Sequence, residues 1–170
     1  MKVCGFFGPS GVGKTTLIEG VIRELKAAGQ RVSVVKHAHK GFEIDAPGKD
    51  SWRHRQAGAF EVVVASGQRL AKVREFEAAA QINVHQLLAE LVPCDWALVE
   101  GFRNADLLRI ELWREGDAPA YPDDPFVIAV VSVDGKVPVP TLLPVFRQGD
   151  AAGVAQYLLA QAKRLEYEHV

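Results

Sequence analysis

Residues 8–15 have the residue types and spacing of a phosphate-binding loop. Their sequence, Gly-Pro-Ser-Gly-Val-Gly-Lys-Thr, matches G-x-x-x-x-G-K-[ST] at every required position. Glycines let the backbone curl until its N–H groups converge on an anion, and a helix starting at Lys14 points its positive dipole end there. Lys14 then reaches the β- and γ-phosphates, the Thr15 hydroxyl ligates Mg²⁺, and Thr16 donates to the α-phosphate. The predicted phosphate-binding residues are Gly8, Pro9, Ser10, Gly11, Val12, Gly13, Lys14, Thr15 and Thr16, with Lys14 also assigned a catalytic role.

Two acidic residues are candidates to complete a magnesium site with Thr15. A phosphate loop needs a carboxylate at the end of a neighbouring strand to hold the metal's water shell. Glu100 follows the apolar run 96–99, so it lies where the ligand sites of α/β sheets are found. Asp45 lies in the loop after the second predicted strand, from which it could reach the γ-phosphate. The alternative for each residue is an ordinary solvated carboxylate.

A basic cluster follows the second predicted strand. Eight of the twenty positions from 36 to 55 are basic or histidine: Lys36, His37, His39, Lys40, Lys49, Arg53, His54 and Arg55. Three interpretations remain open. The charges are simply solvated, or His37 and His39 bind a soft or borderline metal, or the cluster binds the phosphates of the nucleotide or of a second ligand.

Composition excludes several classes of protein. The 170 residues include 20 basic and 21 acidic side chains, with 48% apolar and 24% charged residues, which is the balance of a globular protein rather than a disordered or fibrous one. The formal charge of −1 argues against bulk attraction to nucleic acid or anionic membranes. No stretch approaches the ~20 apolar residues of a membrane span. The two cysteines lie too far apart in sequence for a zinc set, and we expect a cytoplasmic protein.

Alternation of strands and helices predicts one α/β domain over residues 1–170. Strands are predicted at 2–7, 31–36, 60–65, 70–73, 96–99, 110–113 and 126–131. Helices are predicted from Lys14, after Asp50, after Asn83 and after Asp150, with the last three residues as N-caps. This order predicts a three-layer fold of the P-loop NTPase type with a mainly parallel sheet. The turn-rich segment 101–125 is a candidate for an antiparallel excursion at one edge.

The motifs together resemble the MobB family of molybdopterin-guanine dinucleotide biosynthesis adaptor proteins. The resemblance rests on 8–16, Lys-His-Ala-His at 36–39, Phe-Glu-Ile-Asp at 42–45, Pro-Gly-Lys-Asp-Ser at 47–51 and Arg-His-Arg-Gln-Ala-Gly-Ala at 53–59. Glu-Gly-Phe-Arg at 100–103, Arg-Ile-Glu at 109–111 and Ala-Val-Val-Ser-Val-Asp at 129–134 fit the later blocks in order. It covers nearly the whole chain, and the block 47–59 is far more distinctive than a phosphate loop alone.

The resemblance implies a GTP-binding protein with slow hydrolysis. It further implies a homodimer that cooperates with the guanylyltransferase MobA, which attaches GMP to the molybdopterin cofactor. By the same resemblance, the loop and Glu100 bind phosphate and Mg²⁺, and Asp45 contacts the metal's waters or the attacking water. Asp134 is a candidate for binding guanine, because a carboxylate accepts from both N1–H and N2–H₂; the alternative is a turn acid before Gly135. Lys49, Arg53 and Arg55 would suit an anionic pterin phosphate or the nucleotide of the second subunit.

Two other functions fit parts of this pattern. A small-molecule P-loop kinase would use the basic cluster to hold a phosphate acceptor, whereas a nickel-delivery GTPase would use His37 and His39. The kinase predicts no preference for GTP, and the nickel protein predicts stoichiometric metal binding that depends on both histidines. The phosphate loop does not choose among them, because it contacts only phosphates.

Overall fold

The computed structural model describes residues 1–38, 41–78 and 80–168 of the chain. Contacts divide the chain into two compact units. The core unit comprises Met1–His37 and Asn83–Val170, and the insertion unit comprises Ala38–Ile82. We predicted one domain over residues 1–170; whether the two units fold as one domain stays a prediction.

The described residues form eight strands and four helices. The strands are β1 (Lys2–Phe7), β2 (Val32–Lys36), β3 (Glu61–Ala65), β4 (Leu70–Arg74), β5 (Trp96–Glu100), β6 (Arg109–Leu112), β7 (Val127–Ser132) and β8 (Val145–Arg147). The helices are α1 (Lys14–Ala27), α2 (Asp50–Gln56), α3 (Val84–Ala89) and α4 (Ala151–Ala160). None of these described helices is long and apolar enough to span a bilayer.

The core unit is built on one parallel sheet with the strand order β2-β5-β1-β6-β7-β8. Every neighbouring pair is parallel, so all six strands end at the same edge, which we call the carboxyl edge. Each residue of β5 and of β7 is buried, as expected for strands covered on both faces. The predicted α/β fold with a mainly parallel sheet is confirmed.

Helices cover both faces of this sheet. On one face, Leu17 and Val21 of α1 and Leu158 of α4 pack with Phe6 and Trp96 in the largest apolar cluster. On the other face, α3 contributes two further buried residues, Val84 and Leu88, to a second cluster with Val3 and Val99. These layers fix where β1 and β5 end, and therefore where the loops that follow them lie.

Two of the three predicted N-caps are confirmed. The Asn83 side chain accepts a hydrogen bond from the His85 amide in a capping box, and Asp150 accepts from the Gly153 amide at 2.9 Å. The third is wrong, because Lys49 is the N-cap of α2 and Asp50 is its first helical residue. Asp50 stabilises the helix instead by placing a negative charge in its first turn.

The antiparallel pair lies elsewhere than predicted. β3 and β4 leave the main sheet and form a hairpin within the insertion unit, whereas the segment 101–125 contributes the parallel strand β6. Only four residues separate β3 from β4, and a connection this short can join antiparallel strands but not parallel ones. β8 was not predicted, because its three residues are too few to show a periodic pattern.

Candidate phosphate-binding site

The loop after β1 is shaped by glycines at positions that no other residue fits. Gly8 and Gly13 have φ values of 151° and 90°. A Cβ atom on Gly8 would lie 2.3 Å from the Leu112 carbonyl oxygen, and one on Gly13 would lie 2.2 Å from Nε2 of Gln148. At Gly8 both conformation and space require glycine, since the close atom belongs to the backbone; at Gly13 the positive φ is the main requirement, because the end of the Gln148 side chain can move.

The backbone N–H groups of this loop are left without protein acceptors. Within the described part of the chain, the N–H groups of residues 10–16 donate to no protein atom, and the first bonded amide is that of Leu17, which donates to the Gly13 carbonyl at 3.0 Å. Among the residues that the structure describes, no side chain caps the start of α1. Unpaired N–H groups at a helix start form an anion site together with the helix dipole.

Lys14 is folded back over the same loop. Its Nζ donates to the Gly8 carbonyl at 2.9 Å and to the Pro9 carbonyl at 2.7 Å. Burial lowers the pKa of Lys14; the nearby ammonium of Lys36 adds to this effect, and the carboxylate of Glu100 opposes it. The ammonium is thus held, partly desolvated, beside the free amides, where a phosphate oxygen gains most from it.

Thr15 and Glu100 meet across the sheet, as their predicted roles require. Glu100 ends β5, which lies between β1 and β2, and its side chain is only 11% exposed. The Thr15 hydroxyl donates to Oε1 of Glu100 at 2.9 Å, and Nζ of Lys36 lies 3.4 Å from Oε2. A hydroxyl and a carboxylate are the hard oxygen ligands that Mg²⁺ prefers, so these residues fit the ion. Lys36 supplies the positive charge against Glu100 in this structure.

The backbone beyond Glu100 takes an unusual path. Gly101 has φ of 95°, and Phe102, at 51°, is the one non-glycine residue with positive φ in the described ranges. This turn stacks the Phe102 ring on the His37 imidazole, with ring centroids 4.7 Å apart. A Cβ on Gly101 would lie 3.0 Å from that of His37. The close packing joins the ends of β2 and β5 beside the Lys36–Glu100 pair.

The histidine metal site predicted as an alternative involves His37 and His39. His37 stacks on Phe102, and His39 lies outside the described residues. Among the residues that the structure describes, no group of three or more histidine, cysteine or acidic side chains is placed to hold a metal ion. A P-loop magnesium site does not need such a group, because phosphate oxygens and water complete its coordination.

Asp134 lies at the same edge of the sheet, two residues after β7. Its Oδ1 accepts from the Lys136 amide at 3.1 Å, and its Oδ2 lies 3.7 Å from the Lys136 ammonium. These contacts are those of a turn acid. The side chain is 58% exposed, so a ligand at this edge can reach it.

In the insertion unit, Asp45 and Arg55 form a charge network. The Ser51 hydroxyl donates to Oδ1 of Asp45 at 2.8 Å, and Nε of Arg55 lies 3.5 Å from Oδ2. Arg55 also pairs with Glu43 at 3.5 Å and with Glu75. Three carboxylates therefore surround this guanidinium, which holds together segments from both ends of the insertion unit.

The other predicted cations of the insertion unit are freely accessible. Lys49 is exposed at the start of α2. The Arg53 side chain is 71% exposed, and it forms an ion pair with Asp50 at 4.0 Å. A contact this long and this exposed contributes little, so an anionic ligand can compete for Arg53.

Sequence analysis missed Gln148, which precedes α4. Its side-chain Nε2 donates to the Val12 carbonyl at 2.9 Å, which fixes the phosphate loop from the far end of the chain. Its backbone amide donates to the Ser132 carbonyl at 2.7 Å. No local pattern marks this residue, because its role depends on β8 lying beside β7.

Comparisons with known proteins agree with the resemblance seen in the motifs. Residues 3–133 match the family model described as molybdopterin guanine dinucleotide synthesis protein B. A molybdopterin-guanine dinucleotide biosynthesis adapter protein of Haemophilus influenzae is 38% identical over 133 residues, covering 78% of this chain and 75% of its own. The adapter protein of the same description from Escherichia coli is 34% identical over 162 residues, covering 94% and 92%.

Solved structures show the same fold. A MobB protein homolog from Bacillus stearothermophilus superposes with a TM-score of 0.74 at 23% identity, covering 96% of this chain and 99% of that one. A crystal structure described as molybdopterin-guanine biosynthesis protein B also gives 0.74, at 28% identity, covering 93% and 98%. The similarity extends over almost the whole of each chain.

Proposed function

The chain belongs to the molybdopterin guanine dinucleotide synthesis protein B (MobB) family, and from this membership we propose that it is a GTP-binding adapter with slow GTPase activity. The observation that carries the proposal is the set of free N–H groups at 10–16 with Lys14 beside them. Its relatives are named for molybdopterin-guanine dinucleotide biosynthesis, and we assign this chain to the same process.

Each group of site residues is assigned a different part of the triphosphate or its Mg²⁺. The amides of 10–16 bind phosphate oxygens, and Lys14 exchanges the Gly8 and Pro9 carbonyls for the β- and γ-phosphates. Thr15 and Glu100 would hold Mg²⁺, which supplies positive charge against the developing charge of the γ-phosphate. The ion would take over from Lys36 as the counter-charge of Glu100.

We propose that hydrolysis is slow because the acidic side chains assigned to the site are held in other contacts. Glu100 of the core unit is already paired with Thr15 and Lys36, so it is not free to orient an attacking water. A group that orients the attacking water is needed for fast transfer. We assign that role to Asp45 of the insertion unit, and its hydrogen bond with Ser51 and its ion pair with Arg55 must break for it to act.

The adapter role requires partners, and we propose MobA and the molybdopterin cofactor. The exposed cations Lys49 and Arg53 are suited to an anionic pterin phosphate. Arg55 differs from them, because its three carboxylate partners already neutralise it. We therefore expect Lys49 and Arg53 to carry the binding and Arg55 to keep the insertion unit in shape.

Titration calorimetry with GTP and ATP, each with Mg²⁺, tests the proposed function. We expect GTP to bind at least about tenfold more tightly, a difference of ~1.4 kcal/mol. Asp134→Asn should reduce this preference, since an amide cannot accept from both N1–H and N2–H₂ of guanine. Lys136→Gln is the control for the same turn. Equal affinities, or a preference for ATP, would contradict the proposal and favour a kinase.

We also propose a homodimer, which the exposed apolar surface of the hairpin supports. Val63 and Leu70 share one face of the β3–β4 pair and are 56% and 68% exposed. A two-stranded sheet gains little stability alone, and apolar side chains on its face favour association.

Light scattering checks this association. We expect a mass of twice 18.6 kDa for the wild type. Val63→Glu with Leu70→Glu should weaken dimerisation about tenfold or more, since charged groups would be desolvated at the contact. Gln68→Glu, in the hairpin loop, is the control. A wild-type mass of one chain at every concentration would contradict the dimer.

A further inference from the structure

The connection 101–108, which joins β5 to β6, contacts both places where the chain passes between the core unit and the insertion unit. His37 is the last residue of the core unit before the insertion, and Asn83 is the first one after it. We call His37 the first junction and residues 83–85 the second junction. The connection begins directly after Glu100, so it links the candidate magnesium site to both junctions.

The contact at the first junction holds a residue in a strained backbone conformation. Phe102 has φ of 51°, which is unfavourable for a residue with a side chain, and the stack of its ring on the His37 imidazole offsets that strain. The Lys36–Glu100 ion pair flanks this stack, because Lys36 precedes His37 and Glu100 lies two residues before Phe102. A change of partner at Glu100 therefore acts directly on the stack.

At the second junction, His85 joins the connection to α3. Its Nε2 lies 2.7 Å from Oδ1 of Asp106, and its Nδ1 lies 2.6 Å from the Tyr167 hydroxyl oxygen. An imidazole that donates from Nε2 to a carboxylate accepts at Nδ1 from a tyrosine hydroxyl, so both contacts are satisfied at once. The hydrogen bond with His85 lowers the pKa of Asp106. Asp106 is therefore a carboxylate at neutral pH, bound to the second residue of α3.

Apolar packing supports the same link. Phe102 and Ala105 of the connection pack against the second apolar cluster, which contains Leu107 together with Val84 and Leu88 of α3. The Ala105 amide also donates to the Phe102 carbonyl at 2.9 Å. The connection is thus a packed element that runs from Glu100 to α3.

We propose that the connection 101–108 couples the nucleotide site to both junctions of the insertion unit, through the Phe102–His37 stack and the His85–Asp106 hydrogen bond. The proposal rests on the proposed function, because Glu100 changes its partners only when nucleotide and Mg²⁺ bind. Packed contacts transmit a binding event when that event shifts the balance between two of their arrangements. A bound nucleotide thereby orders the points at which the chain enters and leaves the insertion unit.

Hydrogen exchange followed by mass spectrometry, with and without GTP and Mg²⁺, tests this coupling. In the wild type, exchange of the amides in 84–91 is expected to slow about fivefold on binding, since local opening of α3 is suppressed. His85→Phe keeps an aromatic ring but removes both hydrogen bonds, Asp106→Ala removes the carboxylate, and Phe102→Gly removes the ring together with the strain. In each variant the slowing at 84–91 should fall below about twofold, while the slowing at 8–16 stays as in the wild type.

Asp106→Asn and Asp123→Ala are the controls. An asparagine at position 106 still accepts from His85 and should keep most of the slowing, whereas Asp123 is an exposed acid before β7 whose removal should change nothing. The Asp106 side chain is 73% exposed, so its variants should fold. GTP affinity, measured by calorimetry, should change less than about threefold in every variant, which separates loss of coupling from loss of binding.

Two results would overturn the coupling and leave the proposed function standing. One is slowing at 84–91 that persists in His85→Phe and Asp106→Ala, and the other is a wild-type protein that binds GTP without any change at 84–91. Wild-type protein that binds no GTP would overturn the proposed function and the coupling together.

Discussion

Lys14→Ala is expected to weaken GTP binding by about 100-fold, equivalent to ~2.7 kcal/mol. The substitution removes an ammonium group that already lies at the loop, 2.9 Å from the Gly8 carbonyl and 2.7 Å from that of Pro9. The free amides of 10–16 remain, so phosphate keeps part of its binding site. Calorimetry with GTP and Mg²⁺ measures the loss.

The fold of this variant should survive, because both hydrogen bonds of the Lys14 ammonium are to carbonyls of the loop, Gly8 and Pro9. Circular dichroism should be unchanged, and the Tm should fall by only a few degrees, as about 1 kcal/mol would produce. Lys26→Ala removes a lysine from the last turn of the same helix and should leave GTP affinity as in the wild type. Unchanged affinity in Lys14→Ala would remove the central assignment of the loop.

Glu100→Gln is expected to reduce the effect of Mg²⁺ on GTP affinity by about 30-fold, or ~2 kcal/mol. The substitution keeps the size of the side chain and its bond with the Thr15 hydroxyl but removes the negative charge. The measured quantity is GTP affinity with Mg²⁺ divided by that with a chelator. Without Mg²⁺, affinity should change little or rise, since a buried negative charge near the phosphates is gone.

Glu115→Gln is the control, because Glu115 is an exposed acid in the turn after β6. A small loss of stability is expected in Glu100→Gln, since Lys36 loses its ion pair but is itself 56% exposed. If the ratio keeps its wild-type value, Glu100 does not hold the metal. The assignment then moves to Asp45, and Asp45→Asn becomes the next variant.

Local sequence was sufficient to predict β1, the phosphate loop and α1. The apolar run, the glycines and the helical spacing of Leu17, Ile18 and Val21 all lie within twenty residues. The caps Asn83 and Asp150 were predicted for the same reason, because a cap bonds to amides two or three residues away. The prediction of Asp50 as an N-cap was wrong, because an acidic residue is also favoured in the first turn of a helix. The two positions are adjacent, so the local sequence pattern is almost the same for both.

The sequence pattern did not predict which strands pair with each other. β3 and β4 have the apolar residues of core strands, yet Val63 and Leu70 are exposed in a separate hairpin. An apolar run predicts an extended segment but does not specify its partner strand. The same limit applies to β8, whose partner β7 lies about fifteen residues earlier.

By itself, the sequence determined the family and the class of fold and predicted the phosphate loop, because each is carried by residues close together in the chain or by several motifs in a fixed order. The tertiary structure decided which side chains meet. It placed Glu100 against Thr15, 85 positions away, and Gln148 against Val12, 136 positions away. It also surrounded Arg55 with three carboxylates. Such contacts depend on strand order and on packing, and spacing along the chain does not encode them.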